Sequence, residues 1–458
     1  MMNNYPVQKN QELTVDIIDL THEGMGVAKI DHYPIFIENA LPQEQMQIKI
    51  IKVGKKFAIG KILSIEKTSP DRVSVEDEKL VQTGIAPLSH LRYDKQLLFK
   101  KEQVENVLWK IAKMPEIKVL DTLGMEEPIH YRNKAQIPIQ RIEGKLTTGF
   151  YRKNSHDLVP IDDFMIQDPA IDDALIKISE ILQFYKVKAY NETNHEGFLR
   201  HIVIRRGHYS HEMMVILVTR KEKFFKGKEI AAKIHEVLPD VVSVVQNVNP
   251  EQTNVILGKE DNVLYGQSYI TDQLLEKDFQ ISPQSFYQVN TQQAEVLYQK
   301  AFDLAELKET DTIIDAYAGI GTIGISAADK VSHVYGMELV DQAVQDANKN
   351  VALNGLENAV YLPGKAEKVL PQWQNEEIQA NVIFVDPPRK GLDESFIQTA
   401  CEMNPEKIVY ISCNPATLAR DLVVFAKEGY HTNEVQPVDM FPQTTHVECV
   451  VLLSKIKE

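Results

Sequence analysis

The stretch Thr312-Ile-Ile-Asp-Ala-Tyr-Ala-Gly-Ile-Gly-Thr322 decides the fold of the C-terminal part of this 458-residue chain. Its apolar first half predicts a β-strand, and a loop with Gly319 and Gly321 leads from there into a helix that begins near Thr322. Glycines at such a turn permit a tight bend and let the backbone approach a ligand closely. The pattern predicts a nucleoside-cofactor site, and a purely structural turn is the alternative.

An acidic residue supports the cofactor interpretation. Glu338 ends the next predicted strand, 17 residues after Gly321, where its carboxylate can accept both ribose hydroxyl hydrogens. The loop lacks the third glycine of the dinucleotide fingerprint, and the acidic Asp315 opens it. Both features disfavour a pyrophosphate and favour a nucleoside without one, such as S-adenosylmethionine.

Strands and helices alternate from residue 310 to the end of the chain. Further strands are predicted at 334–337, 382–385, 408–412, 432–438 and 447–453, and helices at 322–330, 340–353, 395–403 and 416–427. Such alternation predicts a doubly wound, mainly parallel sheet of the Rossmann-like α/β class.

A second motif, Asp386-Pro-Pro-Arg-Lys-Gly391, follows the strand at 382–385. Open α/β sheets bind ligands at the carboxyl ends of their strands, and two prolines hold Asp386 rigidly there. Amino-directed methyltransferases carry an aromatic residue after Pro-Pro, whereas this chain has Arg389, which disfavours an exocyclic nitrogen as the target. A rigid loop without chemistry is the alternative.

A third motif, Ser412-Cys-Asn-Pro415, ends the next strand and opens a helix. The positive end of a helix dipole lowers the pKa of a thiol, so we expect Cys413 to form a nucleophilic thiolate. Adding a thiolate to C6 of uracil makes C5 able to attack a methyl group. A buried structural cysteine is the alternative, and it is the interpretation we adopt for Cys401 and Cys449.

A fourth motif, His446-Val-Glu-Cys449, leads into the last strand. After methylation C5 still carries a proton, and the carboxylate of Glu448 is a competent general base for it. From spacing alone, an ordinary carboxylate at a sheet edge is an equally open interpretation.

The N-terminal part predicts a different architecture. Residues 10–68 contain several short strands separated by turns, which is typical of a small closed barrel, and residues 75–280 mix helices with strands. Basic residues surround Phe57 and suit a surface that follows a nucleic-acid backbone, although lysines that guard a sheet edge are the alternative. These basic residues are Lys49, Lys52, Lys55, Lys56 and Lys61.

The net charge of −15 misleads when it is taken over the whole chain. It disfavours a general nucleic-acid binder, yet the net charge is 0 over 1–72, −3 over 73–280 and −12 over 281–458. RNA is therefore expected to bind first to the N-terminal two thirds. No long apolar window predicts a membrane span, the N-terminus lacks the apolar core of a secretory signal, and three cysteines without paired spacing fit a protein of the reducing cytoplasm.

Together the motifs resemble the RNA uracil-C5 methyltransferases, specifically the 23S rRNA (uracil-C5)-methyltransferases, over essentially the whole chain. The most specific matches are Ser412-Cys-Asn-Pro-Ala-Thr-Leu-Ala-Arg-Asp421 and Asp439-Met-Phe-Pro-Gln-Thr-Thr-His-Val-Glu448. Phe36-Ile-Glu-Asn-Ala-Leu-Pro42 and Lys55-Lys-Phe-Ala-Ile-Gly60 resemble the TRAM domain, an RNA-binding β-barrel. The tRNA-modifying branch of the family lacks this domain, so the resemblance favours rRNA.

The resemblance implies Cys413 as the nucleophile and Glu448 as the proton acceptor. It also implies the S-adenosylmethionine site, to which the loop glycines belong: Gln288, Tyr317, Gly319, Gly321, Glu338 and Asp386. The expected fold is α/β, with a TRAM-like, OB-like β-barrel over 1–72, a central α+β RNA-binding domain over 73–280 and a Rossmann-like methyltransferase domain over 281–458. We expect a monomer that binds 23S rRNA, naked or in an assembly intermediate, and no membrane.

One departure from the family concerns metal. Many relatives hold a [4Fe-4S] cluster on four cysteines of the central domain, but the matching stretch at 81–91 has none, and neither do Phe164 and Met165. We therefore expect no cysteine-ligated cluster and no other metal. Ordinary packing is expected to hold this region, through Leu80, Val81, Ile85 and Leu88.

Two alternatives to uracil methylation stay open. RNA cytosine-C5 methylation needs the same attack at C6, but those enzymes typically use a second cysteine where this chain has Asp386-Pro-Pro. A non-catalytic rRNA-binding assembly factor is the alternative from another class, and the presence of Cys413, Glu448 and Asp386 speaks against it.

Overall fold

The computed structural model describes residues 5–75, 78–153, 155–376 and 378–455. Its first part is a six-stranded sheet in the order β1-β5-β6-β4-β3-β2. The strands are β1 (Glu12–Asp16), β2 (Asp19–Leu20), β3 (Gly26–Ile30), β4 (Tyr33–Ile37), β5 (Gln45–Val53) and β6 (Ala58–Lys67).

This sheet closes on itself through the two residues between β1 and β2. The amide of Ile18 donates to the carbonyl of Val27 over 2.9 Å, and the amide of Ile17 donates to the carbonyl of Glu44 over 2.9 Å. One continuous segment thus pairs with β5 by its first half and with β3 by its second half. Alternate residues such as Ile35 and Ile37 are fully buried inside, as the period of a strand requires. The predicted barrel is confirmed.

A connecting segment follows the barrel and joins the C-terminal sheet. It contains α1 (Glu78–Thr83), α2 (Tyr93–Val107), a π-helical stretch (Leu108–Ala112) and β7 (Lys118–Val119). Val104, Leu108 and Val119 are buried in the same core as residues of the last 150 positions. Helix α2 therefore packs on the C-terminal sheet, although the sequence division at 73–280 groups it with the central part.

The central part is a seven-stranded sheet in the order β10-β9-β8-β11-β12-β13-β14, with two helices packed on it. The buried apolar residues of both helices face this sheet, which gives the expected α+β arrangement. In chain order the elements are β8 (Lys134–Ile142), β9 (Lys145–Tyr151), β10 (Leu158–Pro160), α3 (Pro169–Phe184), β11 (Leu199–Arg206), β12 (Met213–Thr219), α4 (Gly227–Val237), β13 (Val241–Val248) and β14 (Glu260–Gly266).

The C-terminal part begins with a hairpin and continues into the predicted doubly wound sheet. Its first elements are β15 (Ile270–Leu274), β16 (Lys277–Ile281), α5 (Thr291–Ala305), β17 (Thr312–Ala316), α6 (Thr322–Ala327), a 3₁₀ turn (Ala328–Lys330), β18 (His333–Glu338) and α7 (Asp341–Leu353). They are followed by β19 (Ala359–Pro363), α8 (Ala366–Asn375), β20 (Val382–Val385), α9 (Glu394–Glu402), β21 (Lys407–Ser412), α10 (Pro415–Lys427), β22 (Tyr430–His431), β23 (Glu434–Val438) and β24 (Glu448–Lys455).

The order of this nine-stranded sheet is β19-β18-β17-β20-β21-β24-β23-β7, with β22 paired to β24. The first five strands are parallel and β24 is antiparallel to β21. The Rossmann-like fold class is confirmed. The sequence analysis missed β19 and α8, because β19 is short and α8 contains Pro371, which normally disfavours a helix interior.

Among the described residues, no helix is both long enough and apolar enough to cross a membrane.

Candidate active site

The candidate site lies at one edge of the nine-stranded sheet. Parallel strands bring their carboxyl ends to the same edge, so the residues after β17, β18, β20 and β21 converge there. Because β24 is antiparallel to β21, its first residue lies at this edge as well. Four separate motifs of the sequence are thereby brought together by topology alone.

Cys413 and Glu448 face each other at this edge. Ser412, the last residue of β21, pairs with Cys449, and the next step of the register places Cys413 opposite Glu448. Side chains directly opposite in an antiparallel pair have Cβ atoms roughly 5 Å apart. Glu448 is buried and Cys413 is half-buried, whereas Cys449 points to the other face and is fully buried, as expected for a structural residue. Two residues that separate motifs of the sequence singled out thus lie next to each other in the fold.

The helix after Cys413 starts as the motif predicted. Asn414 is the N-cap of α10, and its side-chain oxygen accepts a hydrogen bond from the amide of Ala416 over 3.1 Å. Pro415 occupies the first helical position, where its missing N–H costs nothing. Cys413 therefore precedes the cap, and Asn414 takes up the amide at the start of the helix.

The expected low pKa of Cys413 is wrong in direction. Burial raises the pKa of this thiol to about 12, and the negative charges of Glu448 and Asp386 raise it further, while Arg389 opposes them. The helix dipole acts on a thiol that lies outside the first turn, whereas the two carboxylates and the loss of solvent act on it directly. The free protein holds Cys413 as a thiol.

The two neighbouring carboxyls hold protons more tightly than usual too. Burial, with Asp386 beside it, raises the pKa of Glu448 to about 8, against the effect of Arg389. Burial also raises the pKa of Asp386 to about 7. Three acidic groups thus share one desolvated space, an arrangement that is common at functional sites.

The loop after β17 has the geometry that its glycines predicted. Gly319 lies at φ +58°, and a methyl group placed on it would meet no atom within 4 Å, so the backbone there borders open space. Gly321 lies at φ +85° and is tightly packed against Ile325 and Tyr361. Tyr317 also has a left-handed φ of +64°, and its ring lies 5.4 Å from that of Phe396. Gly319 therefore leaves room for a ligand, while Gly321 serves the tight turn.

Glu338 fixes this loop from the neighbouring strand. Its carboxylate accepts hydrogen bonds from the amide of Gly319 over 3.1 Å and from the amide of Val340 over 2.9 Å. The apolar side chains of Leu339 and Val340 are largely exposed beside it, at 61% and 56%. An exposed apolar surface next to a fixed carboxylate suits the base and ribose of a nucleoside, and the sequence analysis did not single out this pair.

Gln288 reaches the same region through a buried tyrosine. Its amide nitrogen lies 3.4 Å from the hydroxyl of Tyr298, which in turn lies 3.4 Å from the hydroxyl of Thr322 at the start of α6. Asn133 donates to the carbonyl of Gln288 over 3.0 Å and fixes its backbone. The structure thus places Gln288 beside the cofactor loop, where only the family resemblance had pointed.

The charge of the pocket suits S-adenosylmethionine. Asp315 is fully buried, and burial with Asp386 and Glu338 nearby raises its pKa to about 7, although the amide of Gly324 donates to it over 2.8 Å. Its other oxygen, Oδ1, has no hydrogen-bond partner among the described residues. A surplus of buried carboxylates fits a ligand that carries positive charge, and this ligand has both a sulfonium and an ammonium group.

A network that the sequence analysis missed holds the segment before Glu448. Lys100 and Asp439 form a fully buried ion pair, and Lys100 also donates to the carbonyl of Phe441 over 3.0 Å. Tyr93 donates to the other oxygen of Asp439 over 2.9 Å. Asn290 donates to the carbonyl of Met440 over 3.1 Å. Residues from α2 and from the start of α5 therefore fix the chain that leads into β24.

The region where relatives carry a metal cluster is apolar here. Leu80 is buried against Phe164, and Ile85 and Met165 pack at the edge of the same cluster, whereas Val81 is exposed and Leu88 is buried elsewhere. No group of three or more metal-ligating side chains occurs within 5–75, 78–153, 155–376 and 378–455. Ordinary packing holds this region, with Leu80 and Ile85 as predicted and without Val81.

The side chains of two arginines of the central part are engaged in contacts within the protein. Arg205 is buried and donates to the carbonyls of Pro283 and Ser285, and Arg206 forms an ion pair with Asp168 over 2.7 Å. Neither guanidinium is therefore free to contribute to a positive surface. The barrel lysines Lys52, Lys55, Lys56 and Lys61 are exposed, as expected, while Lys49 pairs with Glu12 over 3.3 Å.

Comparison with known proteins agrees with this site. The model of the tRNA (uracil-5-)-methyltransferase family matches residues 92–456, and the TRAM domain model matches residues 6–63. An uncharacterized RNA methyltransferase of Enterococcus faecalis is 54% identical over 99% of both chains. One of Lactiplantibacillus plantarum is 52% identical over 99% of this chain and 100% of the relative.

A solved structure resembles the whole chain. The tRNA (uracil-54, C5)-methyltransferase of Pyrococcus abyssi, in complex with S-adenosyl-L-homocysteine, superposes with a TM-score of 0.78 and 27% identity. The match covers 96% of this chain and 100% of that chain. With its family and TRAM matches, this chain belongs to the tRNA (uracil-5-)-methyltransferase family of S-adenosylmethionine-dependent RNA methyltransferases and carries an N-terminal TRAM domain.

Proposed function

We infer that this protein transfers a methyl group from S-adenosylmethionine to C5 of one or more uridines in 23S rRNA. The observation that carries this proposal is the position of Cys413 opposite Glu448, at the sheet edge that also holds Asp386 and the cofactor loop. A thiol nucleophile and a carboxylate base on the two sides of one reacting ring are what substitution at C5 of uracil needs.

The proposed reaction starts at C6. The target uridine is flipped out of its stack, and Cys413 releases its proton to solvent and adds to C6, so that negative charge develops at C5. When bound, S-adenosylmethionine would supply an electrophilic methyl group to C5 and would leave as S-adenosylhomocysteine. Glu448 then removes the C5 proton, the C5–C6 double bond forms again, and the thiolate of Cys413 leaves.

The cofactor is proposed to lie along the loop after β17. Glu338 would bind the ribose hydroxyls of the cofactor. Gly319 leaves space for the cofactor, and Gly321 permits the tight turn of the loop. Gln288 and Asp386 would lie beside the methyl group that is transferred. Tyr317 would line the pocket from its position against Phe396. Asp386 also lies near the two proposed catalytic groups, since its charge raises the pKa values of both Cys413 and Glu448.

The barrel and the central part are proposed to bind the RNA. The exposed lysines Lys52, Lys55, Lys56 and Lys61 suit contacts to phosphates, and the barrel matches a TRAM domain. Within this proposal 1–72, 73–280 and 281–458 act as barrel, central and methyltransferase domains of a monomer. Cytosine methylation is not favoured, because the sequence has no second cysteine near Asp386. A non-catalytic role is not favoured, because both Cys413 and Glu448 are present.

A tRNA substrate is the second candidate, and one observation favours it. The Pyrococcus abyssi structure that matches 96% of this chain is named for uracil 54 of tRNA. An enzyme named for tRNA thus has this architecture over nearly the whole chain, so the presence of the barrel is a weaker argument for rRNA than the sequence suggested.

Mapping of 5-methyluridine in rRNA and tRNA from cells with and without the gene tests the proposal. We expect a site in 23S rRNA to lose its methyl group without the gene and to regain it with the wild-type gene. Cys413→Ala should fail to restore it, whereas Cys401→Ala, which changes a buried helical cysteine, should succeed. Loss confined to tRNA would establish the second candidate, loss of 5-methylcytidine would indicate cytosine methylation, and no change in any RNA would contradict methyltransferase activity.

A further inference from the structure

Two phenylalanines of the central part are unusually exposed. Phe184 ends α3 with 79% of its surface exposed, and Phe225 precedes α4 with 77% exposed. Among the large apolar residues of the described chain these are the two highest values. Neither belongs to a hydrophobic core cluster, so both rings are accessible to a partner.

The chain neighbours of the two phenylalanines contact each other. The ammonium group of Lys226, next to Phe225, is 5.6 Å from the ring centroid of Tyr185, which lies 5.3 Å edge-to-face from the ring of Phe184. We call the surface around them the distal patch. It comprises Phe184, Tyr185, Lys186, Lys188, Lys221, Lys223, Phe225, Lys226 and Lys228.

The distal patch is strongly basic. Six exposed lysines lie in the segments 184–188 and 221–229, against two glutamates. One of these glutamates, Glu229, is already engaged by Lys226 and by the hydroxyl of Tyr185. Exposed aromatic rings with lysines between them suit unpaired nucleic-acid bases, which stack on the rings while their phosphates meet the lysines.

The backbone under Phe225 is held in place. The buried amide of Gln246 donates to the carbonyls of Lys221 and Glu222 over 3.0 and 2.9 Å. Phe224 packs on the ring of Phe198, with the centroids 4.8 Å apart, and so anchors the loop beside Phe225. A fixed loop that presents an exposed ring loses little conformational entropy when it binds.

The distal patch lies at the end of the central sheet that is far from Cys413. Lys188 accepts from the amide of Leu199, the first residue of β11, while Arg205, near the other end of β11, donates to the carbonyl of Ser285 beside Gln288. The strand between Leu199 and Arg205 spans about 20 Å. Lys188 also borders a cleft of about 980 Å³ that opens beside the patch.

We propose that the distal patch binds unpaired bases of the substrate RNA that flank the target uridine, and so extends the RNA contact to the end of β11 that lies about 20 Å from Arg205. The proposal rests on an RNA substrate, as the proposed function does. It predicts that the patch contributes to the binding of long RNA and nothing to the chemical step.

The test compares two RNAs that carry the same target uridine. One is the minimal methylated stem-loop, and the other has in addition single-stranded extensions of about 15 nucleotides on both sides. The double variant Phe184→Ala/Phe225→Ala should bind the extended RNA roughly tenfold more weakly than wild type, with a raised KM and an unchanged kcat. On the minimal RNA the variant and the wild type should be equal.

Trp109→Ala is the matched control. Trp109 is 59% exposed and has Lys110 5.9 Å from its ring, but it lies on the π-helical stretch outside the distal patch. The Trp109→Ala variant should bind both RNAs with the affinity of the wild type. An equal loss on both RNAs, or unchanged binding of the extended RNA, would overturn the proposal. If wild type methylated neither RNA, the proposed function would fail, while the ratio of the two affinities would still decide on the distal patch.

Discussion

At the scale of single residues, the acidic groups of the site have raised pKa values and so hold the protons that the proposed reaction must remove. The pKa values of Asp315, Asp386 and Glu448 are raised to between about 7 and about 8, and that of Cys413 is raised to about 12. Burial is the largest cause for each, and the charge of Asp386 adds to it for the other three groups. The folded protein therefore disfavours the ionised forms of Cys413 and Glu448, which the proposed reaction uses.

Glu448→Gln should separate catalysis from stability. Glutamine cannot take the C5 proton, so we expect turnover to fall by about 10²–10⁴ and the methylated covalent complex to accumulate on ordinary uridine RNA. In the unfolded chain Glu448 ionises near its ordinary pKa of 4.5, but in the folded chain only near 8. Its buried charge thus destabilises the folded protein increasingly from pH 4.5 to 8.

The same variant should therefore have a higher Tm than wild type at pH 9 and an equal Tm at pH 4.5, as measured by calorimetry with and without the substitution. Asp393→Asn, which removes an exposed carboxylate near Arg389, is the control and should change neither value. A lower Tm for Glu448→Gln at pH 9 would contradict the raised pKa.

Arg389 should set the pH at which the site becomes active. Its charge opposes the upward shifts of the pKa values of Cys413 and Glu448, so Arg389→Met should raise both. The rate of covalent adduct formation should then fall several-fold at pH 7, and its pH profile should move to higher pH. Lys390→Met, which removes the adjacent exposed cation, is the matched control. A profile that stays in place for Arg389→Met would show that this charge does not act on the thiol.

At the scale of elements, the segment from Asp439 to His446 joins two parts of the molecule. The buried ion pair of Lys100 and Asp439 ties it to α2, and the side chains of Asn290 and Gln293 tie it to α5. Because β24 starts directly after this segment, the position of Glu448 depends on these contacts. The connecting segment thus helps to position the proposed catalytic base, although it contains none of the proposed catalytic residues.

Lys100→Met should leave Asp439 charged and buried without its partner. We expect a loss of about 3–5 kcal/mol in the free energy of unfolding, together with a fall in kcat at an almost unchanged KM. The double variant Lys100→Met/Asp439→Leu should regain much of the stability but not the kcat, since the segment still lacks its anchor. Lys101→Met, beside it on α2, removes only an exposed ion pair and should change little. A fully restored kcat in the double variant would contradict the positioning role.

Part of the site could be predicted from the order of strands and helices in the sequence. The glycine loop, Glu338, Asp386 and Cys413 all follow strands, so their convergence followed from the alternation of strands and helices. Lys100 could not be found in this way, because it meets Asp439 from 339 positions away. The packing of α2 was missed for a similar reason, since an amphipathic helix carries no mark of the sheet that it covers.

The wrong expectation for the pKa of Cys413, and the need for the resemblance to find Gln288, have other physical causes. The helix dipole is visible in a sequence, whereas the burial that outweighs it at Cys413 exists only after folding. Gln288 acts through Tyr298, a contact between residues that carry no motif of their own, so the resemblance alone indicated it.

At the scale of the whole molecule, the net charge differs between the parts that we propose to bind the cofactor and the RNA. The C-terminal part carries most of the acid excess around a pocket that suits a cationic cofactor, while the barrel is neutral overall with exposed lysines. RNA would thus be held on the barrel and the central part, and only the flipped nucleotide would enter the acidic region.

Neutralising Lys55, Lys56 and Lys61 to glutamine should weaken RNA binding and flatten its salt dependence. Each phosphate contact contributes about 0.7–0.9 to the slope of log K against log salt, so the slope should fall by about two. Filter binding over a range of salt concentrations measures it. Neutralising Lys177, Lys233 and Lys349 changes the net charge equally, but these lysines pair with carboxylates on their own helices and should leave the slope unchanged. Equal slopes for both triple variants would place the RNA contact elsewhere.

The most direct test of the central claim is covalent trapping on RNA that contains 5-fluorouridine at the target position. Fluorine cannot leave as a proton does, so Glu448 cannot complete the reaction and the bond between Cys413 and C6 persists. With S-adenosylmethionine, wild type should form an adduct that survives denaturing electrophoresis and maps to Cys413, while Cys413→Ala should form none and Cys401→Ala should behave like wild type. An adduct with Cys413→Ala, or none with wild type on RNA that the enzyme methylates, would contradict the mechanism.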